Sequence, residues 1–188
     1  MAFAVWFTGL PGSGKTVIAS RSAAILKNEG IEVKILQLDE IRKVLTPEPK
    51  YTDEERNIVY LSLVYMAKLL TENGVNVFID ATANKRRYRE TARNLIPRFA
   101  EIFIRCPLDI CMEREAHRKA AFSPKGIYIK AARSGANVPG VNVPYEEPIN
   151  PIAVIDSDRM KPEMSAEKAA DAIISFFGLK IHENRNFS

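Results

Sequence analysis

The chain has 188 residues, of which 46% are hydrophobic and 27% charged, and it contains two cysteines. That length suits one domain, large enough to hold a core without staples, and the composition excludes disordered, collagen-like and disulfide-scaffold proteins. The net charge of +4 hides two basic stretches, residues 85–98 and 114–133, each with six Lys or Arg against one Glu, so the rest of the chain carries −6.

Residues 3–8 form a short apolar run, as expected of a parallel strand buried on both faces. A glycine-rich loop follows, and then residues 15–29 predict a helix with Gly30 as its cap. Residues 33–38 predict a second strand closing on Asp39, and residues 53–73 a long helix stopped by Gly74. The third strand, 75–80, ends on Asp80. Helix 88–99, strand 102–105 and helix 108–118 come next. The proline-rich segment 123–160 predicts mostly loop around a fifth strand at 152–155. A last helix spans 166–177, with Ser165 as N-cap and Gly178 beyond it. Strands alternating with helices imply a three-layer α/β/α sandwich on a parallel five-stranded sheet, one domain over residues 1–188. No run is long enough to cross a membrane, the N-terminus lacks a basic leader, and two thiols suit a reducing cytosol. A cytoplasmic location is therefore expected.

The loop reads Gly9, Leu10, Pro11, Gly12, Ser13, Gly14, Lys15, Thr16, which fits G-x-x-x-x-G-K-[ST] between a strand and a helix. Glycines let the backbone wrap a phosphate and point N–H groups inward. The helix start adds partial positive charge. Lys15 would reach the β- and γ-phosphates of ATP, and the Thr16 hydroxyl would ligate Mg²⁺. No Asn-Lys-x-Asp motif for guanine is present, so a kinase is favoured over a GTPase. Ligands bind at the carboxyl ends of strands in such sheets. Asp39 is the candidate base for the acceptor hydroxyl, and Asp80 the candidate metal carboxylate. Each Asp could instead be an N-cap. Arg42, three residues after Asp39, shares its helical face. Arg86, Arg89 and Arg93 form a basic stripe suited to an anionic acceptor, while Arg87 and Arg98 fit a solvated face. In small kinases a lid follows the fourth strand; here it is placed at about 114–133, with Arg114, Arg118 and Lys130 as phosphate-neutralising candidates. His117, Cys106 and Cys111 receive no role.

Several motifs resemble the adenylylsulfate (APS) kinase family. Lys125-Gly-Ile-Tyr-Ile-Lys-Ala131 resembles K-G-L-Y-K-K-A, and residues 139–148, PGVNVPYEEP, resemble T-G-I-D-x-P-Y-E-x-P. Leu38-Asp39-Glu-Ile-Arg42 and Arg89-Glu-Thr-Ala-Arg93 match two further family segments. The resemblance implies an adenylate-kinase-like fold and transfer from ATP to the 3′-hydroxyl of APS, giving PAPS, with Mg²⁺ and a homodimer. It assigns the acceptor site to Asp39, Arg42, Arg56 and Lys130, with Val141 and Asn142 in a substrate loop at about 134–150. Departures fall on that side: Gln37 replaces an acid, Val59 an Asn, Val138 a base-stacking Phe, and Asp80-Ala-Thr82-Ala-Asn-Lys-Arg86 departs from I-S-P-Y-R. Another small hydroxyl metabolite or nucleotide is the alternative acceptor. A polynucleotide is a weaker one, and a nucleotide-binding switch without an acceptor is the reading from another class.

Overall fold

The computed structural model describes residues 1–117, 126–134 and 137–180. Five strands form one parallel sheet in the order β2-β3-β1-β4-β5. They are β1 (Ala4–Thr8), β2 (Val33–Gln37), β3 (Asn76–Asp80), β4 (Phe99–Arg105) and β5 (Ala153–Asp156). β1 lies in the middle, buried at every residue. The next strand, β2, lies beyond β3, and β4 lies on β1's other side, so the order reverses at β1 and opens a crevice at its carboxyl end.

The pleat of β1 sends its side chains to two cores. Ala4 and Trp6 meet Val59, Leu63 and Tyr88, contributed by α3 (Asp53–Glu72) and α4 (Arg86–Leu95). Phe3, Val5 and Phe7 meet Ile18, Leu26 and Ile173, contributed by α1 (Lys15–Asn28) and α7 (Pro162–Phe177). Ser22 lets α1 approach α7 closely; its hydroxyl lies 2.8 Å from Ile18 O and 3.1 Å from Ala166 O, its one proton shared between the two carbonyls. A third cluster joins Cys106, Cys111, Tyr128, Ala131 and Val138. It packs α5 (Leu108–His117) and α6 (Ile127–Ser134) beside the phosphate loop. No helix among the described residues is long and apolar enough to cross a membrane.

Several boundaries differ from expectation. β2 stops at Gln37, and α2 (Leu38–Leu45) begins at once, so Asp39 sits in a helix's first turn. β4 starts at Phe99 because Glu101, a poor strand residue by type, is neutralised inside the sheet. α4 ends before Pro97, which disfavours helix in the residue ahead of it. α7 starts at Pro162, with proline in its first turn and Lys161 as N-cap, and so places Ser165 inside the helix. α6 is a helix in a segment expected to be loop.

Candidate active site

The phosphate loop leaves β1 at Gly9. A Cβ there would collide with Ile104 O, and one at Gly12 (φ +82°) with Cys111 O, so both positions exclude larger residues. Gly14 caps α1 in the left-handed region. Ser13 N–H donates to Leu10 O at 3.1 Å. The buried Lys15 ammonium donates to the same carbonyl at 2.9 Å, folding over the loop. Ser13 Oγ is buried without a hydrogen-bond partner among the described residues. A cradle of this shape, with a lysine across it and a helix start beneath, fits a triphosphate.

β3 brings Asp80 to the same place. It is buried, and its Oδ2 accepts from Thr16 Oγ1 at 2.6 Å. A hydroxyl and a carboxylate side by side form a hard-oxygen donor set suited to Mg²⁺. Thr16 and Asp80 thus stand together as expected for a metal pair, and Asp80 does not begin a helix.

Asp39 lies two residues beyond Gln37, which pairs with Asp80 across the sheet. This register puts the turn into α2, with the candidate base, at the carboxyl end of the strand next to β3. Arg42 is buried, with Nη1 3.1 Å from Glu55 Oε1. Glu55 also accepts from Lys50 N at 2.6 Å and Tyr51 N at 3.2 Å, and Thr52 caps α3 by accepting from Glu55 N. Tyr51 adopts φ +56°, and its ring lies 5.2 Å from the Arg42 guanidinium and 6.0 Å from that of Arg56. Burial raises the Tyr51 hydroxyl above the ordinary phenol range; Arg42 opposes that shift and Asp39 adds to it, so the phenol feels the carboxylate. Arg56, also buried, donates from Nε to Tyr51 O at 3.1 Å and from Nη2 to Asn137 O at 2.8 Å. Tyr51 and Glu55 are the residues that sequence reasoning missed. Thr52-x-x-Glu55 is a readable capping pattern, whereas the left-handed Tyr51 leaves no sequence signal.

The segment after Asn137 is pinned from several sides. Asn142 Oδ1 accepts from Val138 N at 2.8 Å, and Gly140 N donates to Val143 O at 2.8 Å. Residues Gly140 to Pro144 line an open hollow of about 310 Å³, with Val141 exposed. Glu146 N donates to Asn84 O, and Arg86 N to Glu146 Oε2. The Tyr145 hydroxyl lies 2.8 Å from Thr8 Oγ1, and burial keeps it above the usual phenol range.

Three expectations change here. Arg89, expected at the acceptor, has no exposed surface. Its Nε is 2.9 Å from Glu101, and its other nitrogens donate to Ala83 O and Glu146 O. Arg93 also pairs with Glu101, at 2.7 Å, and Arg86 donates to Glu147 O. Arg89 is thus drawn into the framework, whereas Arg86 and Arg93 spend donors on it while staying partly exposed. Arg98, expected on a solvated face, donates to Met1 O and Phe177 O. Val138, expected to line the acceptor cleft, is buried in the cluster with Cys106 and Tyr128.

On the lid side, Arg114 donates to Ser157 O at 2.9 Å and Ser157 Oγ at 3.2 Å, and Ser157 Oγ donates to Ser13 O at 2.7 Å. Arg114 therefore reaches the phosphate loop through Ser157. Tyr128 donates to Pro11 O at 2.7 Å. Lys130 is exposed on α6. Arg118, Lys125 and the middle of the expected lid lie outside the described residues, as do residues 135 and 136 of the expected substrate loop.

The sequence model of the family described as adenylylsulphate kinase matches residues 1–156. A probable adenylyl-sulfate kinase of Pyrococcus abyssi is 40% identical over 166 residues, covering 88% of this chain and 91% of that protein. An adenylyl-sulfate kinase of Halothermothrix orenii is 36% identical over 169 residues, covering 89% and 86%. The solved Mycobacterium tuberculosis APS kinase CysC, in complex with AMPPNP and APS, superposes with a TM-score of 0.79 at 30% identity, over 92% of this chain and 97% of that one. A sugar kinase of Janibacter shares the fold, with a TM-score of 0.66 at 23% identity.

Proposed function

Because the chain belongs to the adenylylsulphate kinase family, we propose that it transfers the γ-phosphoryl group of ATP to the 3′-hydroxyl of APS, giving PAPS. The observation that supports this most is a meeting of two sites. The Thr16–Asp80 pair closes β3, Gln37 pairs with Asp80 across the sheet, and the helix that follows Gln37 carries Asp39 and Arg42, the latter joined to Tyr51 and Arg56.

In this reading Lys15 leaves Leu10 O for the phosphates, and the start of α1 supports the negative charge. Thr16 and Asp80 would hold Mg²⁺, which spreads charge off the β- and γ-phosphates when bound. Asp39 takes the proton of the attacking hydroxyl. Arg42 and Arg56 supply charge for the phosphosulfate, with Lys130 and the exposed Asn142 and Val141 at the acceptor's margin. Tyr51 offers the aromatic surface that Val138 does not. A homodimer and a cytoplasmic setting belong to the same proposal.

The test is incubation with MgATP and APS, followed by mass spectrometry. PAPS formation is expected, with Asp39→Asn slowing turnover at least ~10²-fold while ATP affinity holds. ATP binding without PAPS defeats the APS assignment. Phosphorylation of another hydroxyl compound in its place would establish the alternative acceptor class, and ATP binding unchanged by any acceptor would favour a switch.

A further inference from the structure

Three chain segments that carry the chemistry converge on one pair of hydroxyls. Thr8 is fully buried and directly precedes Gly9 of the phosphate loop. Its Oγ1 donates to Thr82 O at 2.7 Å, two residues past Asp80. That commits the Thr8 proton, so the 2.8 Å contact with Tyr145 has one polarity: the Tyr145 hydroxyl donates and Thr8 Oγ1 accepts. Tyr145 belongs to the loop that follows Val141 and Asn142. Its ring is held by Phe103, stacked at 6.0 Å, and by the Arg89 guanidinium at 5.9 Å.

We propose that Tyr145 and Thr8 are positioning residues, whose hydroxyl chain to Thr82 O sets the acceptor loop at a fixed distance from the phosphate loop and the metal carboxylate. Neither hydroxyl touches the reacting atoms. Their effect is on alignment, to which phosphoryl transfer is sensitive, since a displacement of ~1 Å can cost ~10²-fold in rate. The side chains around Tyr145 are fixed by packing, so removing its hydroxyl leaves the ring seated and frees only the register. A loosened acceptor should also admit water, so that ATP is hydrolysed without transfer.

This inference rests on the acceptor assignment above. The experiment compares wild type, Tyr145→Phe, Thr8→Val, Thr8→Ser and the Tyr145→Phe/Thr8→Val double variant, following PAPS and ADP together. Tyr145→Phe is expected to lower kcat at least ~10-fold, to raise ADP formed per PAPS, and to leave KM for ATP within about twofold. Thr8→Val should act likewise, the double variant should be no worse than the poorer single one, and Thr8→Ser should recover most of the loss. If kcat for Tyr145→Phe stays within about twofold of wild type, the inference is overturned. It is equally overturned if Thr8→Ser is as poor as Thr8→Val, or if ATP binding and melting temperature fall together with kcat, because the chain is then merely structural. Should Tyr145→Phe not fold, the Thr8→Val and Thr8→Ser pair decides alone. Absence of PAPS from the wild type defeats the acceptor assignment; equal PAPS from wild type and Tyr145→Phe defeats this one.

Discussion

Single residues show how burial decides what a charge can do. Arg89 and Arg42 are both buried arginines, yet Arg89 spends its donors on Glu101 and two backbone carbonyls, while Arg42 pairs with Glu55 beside an aromatic ring. Replacing Arg89 with Met strands Glu101 with Arg93 alone, and removing one member of a buried ion pair costs ~3–5 kcal/mol. Urea unfolding should show that loss, with ATP affinity unchanged in the folded fraction. Cys111 gives a pH test. Burial, reinforced by the neighbouring Cys106, pushes its thiol from 9.0 up to about 12. Above pH 9 the unfolded chain releases a proton that the folded chain keeps, so stability falls as pH rises from about 9 to 12. Melting temperatures across that range should decline more steeply for the wild type than for Cys111→Ala. The phosphate loop was legible residue by residue because its backbone geometry tolerates few residue types. Arg89 was not, since its partners are 6, 12 and 57 residues away and two of its three acceptors are main-chain oxygens.

At the level of elements, α2 and the start of α3 carry the residues proposed for the acceptor side. Thr52 caps α3, whose first turn carries Glu55 and Arg56, and the left-handed Tyr51 directly precedes that cap. Thr52→Ala should cost ~1 kcal/mol as a lost N-cap. Because Glu55 and Tyr51 lose their anchor with it, KM for the acceptor should rise several-fold in steady-state kinetics while KM for ATP holds. The long helices and central strands were readable from periodicity and glycine stops. The start of β4 was missed because a lone Glu101 argues against a strand until Arg89 and Arg93, from the preceding helix, neutralise it. α6 was hidden by the proline-rich composition around it.

The whole molecule is a sheet whose central strand feeds the phosphate loop, with helical cores on both faces and a small third core under α6. ATP should therefore stabilise the entire fold by mass action, about 2.7 kcal/mol at a hundredfold excess over Kd. Thermal melts should show a shift of several degrees with MgATP. Adding EDTA should reduce it, and Thr16→Val should erase that EDTA-sensitive part. The attachment of the acceptor loop has a consequence for evolution. Arg56 grips Asn137 O, Arg89 grips Glu146 O and Arg86 grips Glu147 O, all main-chain oxygens that every residue type possesses. The loop's exposed side chains can drift, at Val141 above all, without loosening these clamps. A lineage can then exchange one acceptor for another by changing a few letters between fixed anchor points, and the energy-handling half of the enzyme is inherited intact.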